Sequence, residues 1–111
     1  DFSAFIERVH HIQARAGYDQ GPQVPHPAAP EYQSALRFQQ RFWEQIWQSQ
    51  RRRGYPQTTL TPEFGADGYL HHLPFTNVPV ADLWSLNAWM AARQQAHFQQ
   101  FLTLTEQEPQ P

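Results

Sequence analysis

Residues 58–65 read TTLTPEFG. Thr58 to Thr61 is a short β-like run, because threonine's branched Cβ favours extended backbone. Pro62 closes it, since a proline has no N–H to give to a ladder. The next residue, Glu63, is a single carboxylate delivered at the carboxyl end of the strand, with Phe64 and Gly65 directly after it. An acid in that position is either a solvated turn residue or a ligand for a cation.

A second run of the same kind lies upstream. RVHHIQARAG, residues 8–17, alternates weakly between apolar and polar side chains, is short, and stops at Gly17. It predicts a strand ending near Arg15. His10 and His11 then point to opposite faces, and His11, Gln13 and Arg15 share one face by parity. The stretch YDQGPQVPHPAAPE, residues 18–31, carries four of the ten prolines and is neither helix nor paired strand. It is a linker or an ordered functional loop, and Tyr18 and Val24 supply anchors for the second option.

Two helices complete the pattern. Pro30 and Glu31 suit a helix N-terminus, and Tyr32, Leu36, Phe42, Trp43, Ile46 and Trp47 recur at helical spacing. Arg51, Arg52, Arg53 and Gly54 read as its end, where cations match the dipole; a phosphate site is the sharper alternative for the three arginines. The second helix is expected from Pro79 to about Thr103, with Val80, Leu83, Trp84, Asn87, Ala91 and Phe98 on or beside one face, and the four tryptophans packed. Residues 105–111 read as a frayed tail. The order is βαβα, the grammar of a parallel α/β sheet with helical crossovers. In such folds sites form at the carboxyl ends of strands, which is where Gln13 to Gly17 and Glu63 to Gly65 fall.

The bulk numbers exclude several classes. The 111 residues allow one domain at most, and the formal net charge of −2 with 16% charged residues makes no case for nucleic acid or an anionic membrane surface. Cysteine is absent, so disulfides and thiolate chemistry are excluded. No apolar run reaches the roughly 18 residues of a membrane span, no signal-peptide pattern opens the chain, and a cytoplasmic location is expected. Aromatic residues make up 14% of the chain although its mean hydropathy is −0.73. Large apolar anchors are therefore set in an uncharged, Gln-rich polar surface. The opening, DFSAFIE, reads as the tail of an amphipathic helix, as in the middle of a longer protein.

HIQARAGYDQGPQVPHPAAPEY, FWEQIWQSQRRRG and LTPEFGADGYLHHLPFTNVPVADLWSLNAWMAAR resemble the carboxyl-terminal part of sugar phosphate isomerase/epimerase-like proteins of the xylose isomerase-like TIM-barrel superfamily. The resemblance runs from about Val9 to Arg93. It implies that residues 1–104 are the last two βα units of a (β/α)8 barrel, incomplete alone, since such a barrel takes about 250 residues. It implies a divalent metal (Mn, Mg, Co or Zn) that holds the adjacent hydroxyl and carbonyl oxygens of an open-chain sugar or sugar phosphate, with Glu63 as a ligand. The family's His-x-His on the preceding strand is His11-Ile12-Gln13 here, so Gln13 takes the place of the ligand histidine. Around these, His11, Arg15, Tyr69 and His71 are the candidate substrate contacts. Arg15 would meet a hydroxyl or phosphate, or else brace loop carbonyls; His71 and His72 would line the pocket or lie on the loop surface. The expected partner besides the sugar is the rest of a barrel or a second copy. The competing expectation is a non-catalytic partial barrel that associates with itself or with a partner.

Overall fold

A computed structural model describes residues 2–66 and 68–106. The elements are α1 (Ser3–Ile6), β1 (Ile12–Ala14), a 3-10 turn (Pro30–Tyr32), α2 (Gln33–Arg52), β2 (Leu60–Pro62) and α3 (Leu83–Glu106). The chain is mixed helix and strand, and among the described residues there is one sheet, of two parallel strands. Ile12, Gln13 and Ala14 stand opposite Leu60, Thr61 and Pro62. The hydrogen bonds Ile12 N–H to the Thr59 carbonyl (3.3 Å) and Glu63 N–H to the Ala14 carbonyl (2.9 Å) carry the ladder past both ends.

Period-two alternation divides this small sheet into two unlike faces. Ile12, Ala14, Ala16 and Phe64 are buried with Leu36, Trp43, Ile46 and Trp47 of α2 and Leu86, Met90 and Phe101 of α3. His11, Gln13, Thr59, Thr61 and Glu63 alternate with them and are exposed. Trp47 is the centre of the core, with the rings of Phe98 and Phe101 at 4.9 and 5.5 Å. Beside it His97 joins the helices: Nε2 lies 2.6 Å from Glu44 Oε1 and Nδ1 lies 3.1 Å from Gln94 Oε1.

The first strand is shorter than its alternation predicts. The reason is that side chains from the end of α2 take the carbonyls a neighbouring strand would otherwise take. Arg53 Nη2 donates to the Val9 carbonyl (2.9 Å), and Gln50 Nε2 donates to those of Val9 and His10 (both 3.3 Å). The three arginines thus divide among structural tasks: Arg51 meets Thr105, Arg52 pairs with Glu7 at 3.0 Å, and Arg53 holds Val9. The proline-rich stretch is an ordered loop. Val24 is fully buried, its N–H donates to the Ala16 carbonyl (2.8 Å), and Pro27 is buried as well.

Helix α3 corrects the expectation most. It begins at Leu83 and not at Pro79, because 71–80 folds back on itself. Leu73 N–H donates to the Val78 carbonyl (2.7 Å) and Val80 N–H to that of His71 (2.9 Å), with Phe75 and Asn77 at positive φ in the turn. Asp82 then caps the helix: its Oδ2 accepts from Ser85 N–H (2.9 Å) and Ser85 Oγ–H (2.8 Å). The buried stripe is Leu86, Met90, Gln94 and Phe101, so Trp84 lies on the far side and is 81% exposed instead of packed. At the other end α3 continues to Glu106, two residues into the expected tail, where Thr105 Oγ1 back-bonds to the Phe101 carbonyl (3.0 Å). The remainder of that tail, residues 107–111, lies outside the described residues.

The two Ser85 bonds hold the Asp82 carboxyl below the usual carboxylate range. A carboxylate whose folded pKa is lowered contributes fully above its unfolded pKa and loses that contribution as pH falls through the lowered value. The first turn of α3 is therefore expected to loosen in that acid window, and Asp82→Ala is expected to loosen it at every pH. Amide exchange at Ser85 and Leu86 followed against pH checks both statements.

Candidate functional site

The polar sheet face is built in three rungs. His11 and Thr59 form the first, Gln13 and Thr61 the second, and Arg15 and Glu63 stand at the third, where the strands end. Parallel strands are ordinarily covered on both faces. Here one face carries imidazole, carboxamide, guanidinium, two hydroxyls and a carboxylate, and is open.

On the first rung His11 is engaged. Its Nδ1 lies 2.7 Å from Thr59 Oγ1 and its Nε2 lies 3.0 Å from Thr61 Oγ1, so both ring nitrogens are used in bridging the strands. The ring supports the face and has no free nitrogen to offer a ligand. Gln13 and Glu63 are both exposed and project from neighbouring strands onto the same face. Arg15 lies with its guanidinium carbon 4.3 Å from the centroid of the Tyr69 ring. The structure thus brings Gln13, Glu63, Arg15 and Tyr69 to one surface. His71 turns elsewhere: its Nε2 meets the Gln23 carbonyl at 3.3 Å and its ring lies 6.4 Å from that of Tyr18, on the first loop. His72 is a bridge partner of Pro79.

Two carboxamides that sequence reasoning did not single out as site residues fix the backbone just after Glu63. Phe64 N–H donates to Asn87 Oδ1 (2.8 Å), and Asn87 Nδ2 donates back to the Phe64 carbonyl (3.1 Å). Gly65 N–H donates to Gln23 Oε1 (2.9 Å), and Gln23 Nε2 donates back to the Gly65 carbonyl (3.2 Å). Each amide satisfies one residue's donor and acceptor together, as a third strand would. Gln23, from the proline-rich loop, is 1% exposed. The available signals were an asparagine inside a helix, where that side chain is a weak helix former, and a glutamine between two prolines in an otherwise apolar stretch.

Whether these residues fit a divalent cation follows from their donors. Carboxylate and amide oxygens suit Mg or Mn, but such ions take about six ligands. Gln13 and Glu63 give two side chains, and among the described residues no group of three or more His, Cys, Asp or Glu gathers. The donor type fits and the number does not close a site. No family model matches the chain, and no curated protein or solved structure is significantly similar to it.

The amide clamps carry a direct expectation. Asn87→Leu leaves the N–H and carbonyl of Phe64 without partners, which costs roughly 1–3 kcal/mol. Gln23→Leu is expected to cost a similar amount. Urea unfolding measures the loss, and amide exchange shows whether it is confined to Phe64 and Gly65 while the β1–β2 ladder keeps its protection.

Proposed function

We propose that the chain is part of a metal-dependent sugar or sugar phosphate isomerase or epimerase, supplying the last two βα units of a xylose isomerase-like TIM barrel. The observation that carries this reading is the open polar face at the carboxyl ends of two parallel strands, where such barrels hold their substrates. Gln13, Thr61 and Glu63 offer amide, hydroxyl and carboxylate groups to the hydroxyls of a polyol. A cation of the family's chemistry would take Glu63 and Gln13 as two of its oxygens and the rest of its shell from strands beyond these two. A cytoplasmic location goes with this reading. Among the described residues no helix is long and apolar enough to cross a membrane.

A second reading has its own support. Both outer edges of the sheet are flanked by grooves that mix apolar and polar side chains. One of about 620 Å³ runs along β1 over Phe5, Phe42, Trp43 and Ile46, and one of about 190 Å³ lies beside β2 at Leu60, Ala91 and Phe98. Unpaired strand edges beside grooves with exposed apolar side chains are places where another strand and helix add. In this reading the chain is a non-catalytic partial barrel, and its grooves receive a second copy or a partner.

Titration calorimetry with Mn, Co and Zn on the natural assembled protein tests the first reading. Gln13→His is expected to raise affinity, because an imidazole replaces a neutral amide oxygen. Glu63→Gln is expected to lower it by on the order of tenfold or more, since loss of even a second-sphere partner does as much. The two effects should be non-additive. Unchanged affinity in both variants returns Glu63 to a turn carboxylate. Sedimentation addresses the grooves: the isolated chain is expected to self-associate at micromolar concentration, and a compact monomer that unfolds cooperatively contradicts both readings of the open edges.

A further inference from the structure

We propose that the groove between the proline-rich loop and the start of α2 is a binding site for an organic cation with N–H donors, an alkylammonium or an alkylguanidinium. None of the polar-face residues lines this groove, and the proposal does not depend on the sugar reading.

The groove has a volume of about 900 Å³. Tyr18 from the loop, Tyr32 from the 3-10 turn and Phe38 from α2 give it three aromatic residues. The rings of Tyr18 and Tyr32 meet at 5.5 Å and 81°, so they form a corner. Phe38 is 68% exposed, so its ring is not used up by the core. The loop side is set in advance. Tyr18 and Gly21 exchange backbone hydrogen bonds in both directions, at 2.9 and 3.1 Å. Gly17 packs so closely that a Cβ there would lie 3.1 Å from the Pro22 carbonyl oxygen. A ligand that meets such a wall has little chain to order, which lowers the cost of binding.

The charge in the groove is of one sign. Asp19 and Glu31 line it, and none of its ten lining residues is Arg, Lys or His. The two acids come from separate segments, and both are exposed. Among the described residues neither makes a hydrogen bond or an ion pair, whereas Glu7, Glu44 and Asp82 each have a partner. Glu31 also suits the positive end of the helix that starts beside it. Asp19 has no such task. Aromatic rings attract a cation through their quadrupole, and carboxylates form charge-assisted hydrogen bonds with N–H donors. An anion is opposed by both features, and a neutral polyol gains nothing from the rings' attraction for charge. A quaternary ammonium uses the rings but has no donor for the carboxylates. An ammonium or guanidinium on an alkyl stem uses both.

The test is an NMR titration of the natural assembled protein that follows the rings of Tyr18, Tyr32 and Phe38. The probes are butylammonium, butylguanidinium, choline and butanol. At least one of the first two is expected to bind roughly 10-fold more tightly than butanol, and more tightly than choline. A gain for butylammonium alone assigns an amine, a gain for butylguanidinium alone assigns a guanidine, and either supports the site. The gain is expected to fall several-fold in Asp19→Asn and in Phe38→Ala, both at exposed positions where the change leaves the core intact. A short peptide carrying one lysine or arginine separates the sources. Much tighter binding than the matching butyl compound assigns a side chain of a partner protein, and binding no tighter assigns a free amine or guanidine. If butanol or choline binds as well as the N–H cations, if Asp19→Asn changes nothing, or if no probe shifts the three rings, the site is overturned.

Discussion

The structure depends on the pairing of Ile12–Ala14 with Leu60–Pro62 in parallel register. A parallel pair cannot be closed by a tight turn, so a long crossover must bring the second strand back, and α2 supplies it. Once that register is set, alternation decides the rest. Even-numbered residues enter the core beneath α2 and α3, and odd-numbered residues form the polar face. A slip of one residue would bury His11, Gln13 and Glu63 and expose Ile12 and Phe64. The same pairing that makes the core therefore also assembles the candidate site.

So short a ladder does not hold the strand ends by itself, and the chain surrounds it with side-chain substitutes for missing strands. Gln50 and Arg53 occupy the carbonyls of Val9 and His10 at the start of β1. Asn87 and Gln23 occupy both backbone groups of Phe64 and Gly65 after β2. This explains why buried glutamines are a feature of a chain with few charges. A carboxamide can satisfy a donor and an acceptor together without bringing a charge into the core.

Much of this was legible in the residues. The βαβα order, the two strands, the crossover helix with its Leu36, Trp43, Ile46 and Trp47 stripe, and the common face of His11, Gln13 and Arg15 follow from periodicity and from Gly and Pro punctuation. The start of α3 was not legible. Pro79 is a good first helical residue by local rules, and only the back-folding of 71–80 onto itself removes it from the helix. The stripe on α3 shifted with it, leaving Trp84 outside. Within the site, parity placed His11, Gln13 and Arg15 on one face, and the observed register of the two strands adds Glu63 to it. The engagement of His11 by Thr59 and Thr61, and the turn of His71 towards Gln23, are tertiary contacts that spacing alone does not encode.

The central claim is that the odd-numbered face at the strand ends is a ligand surface centred on the second and third rungs. The most direct measurement is paramagnetic broadening by Mn in the NMR spectrum of the natural assembled protein, with an open-chain sugar present. The account predicts broadening centred on Gln13, Thr61 and Glu63, falling off through Arg15 and Tyr69 and absent from α1. Broadening centred elsewhere, or spread evenly over exposed carboxylates such as Glu31 and Glu106, contradicts it.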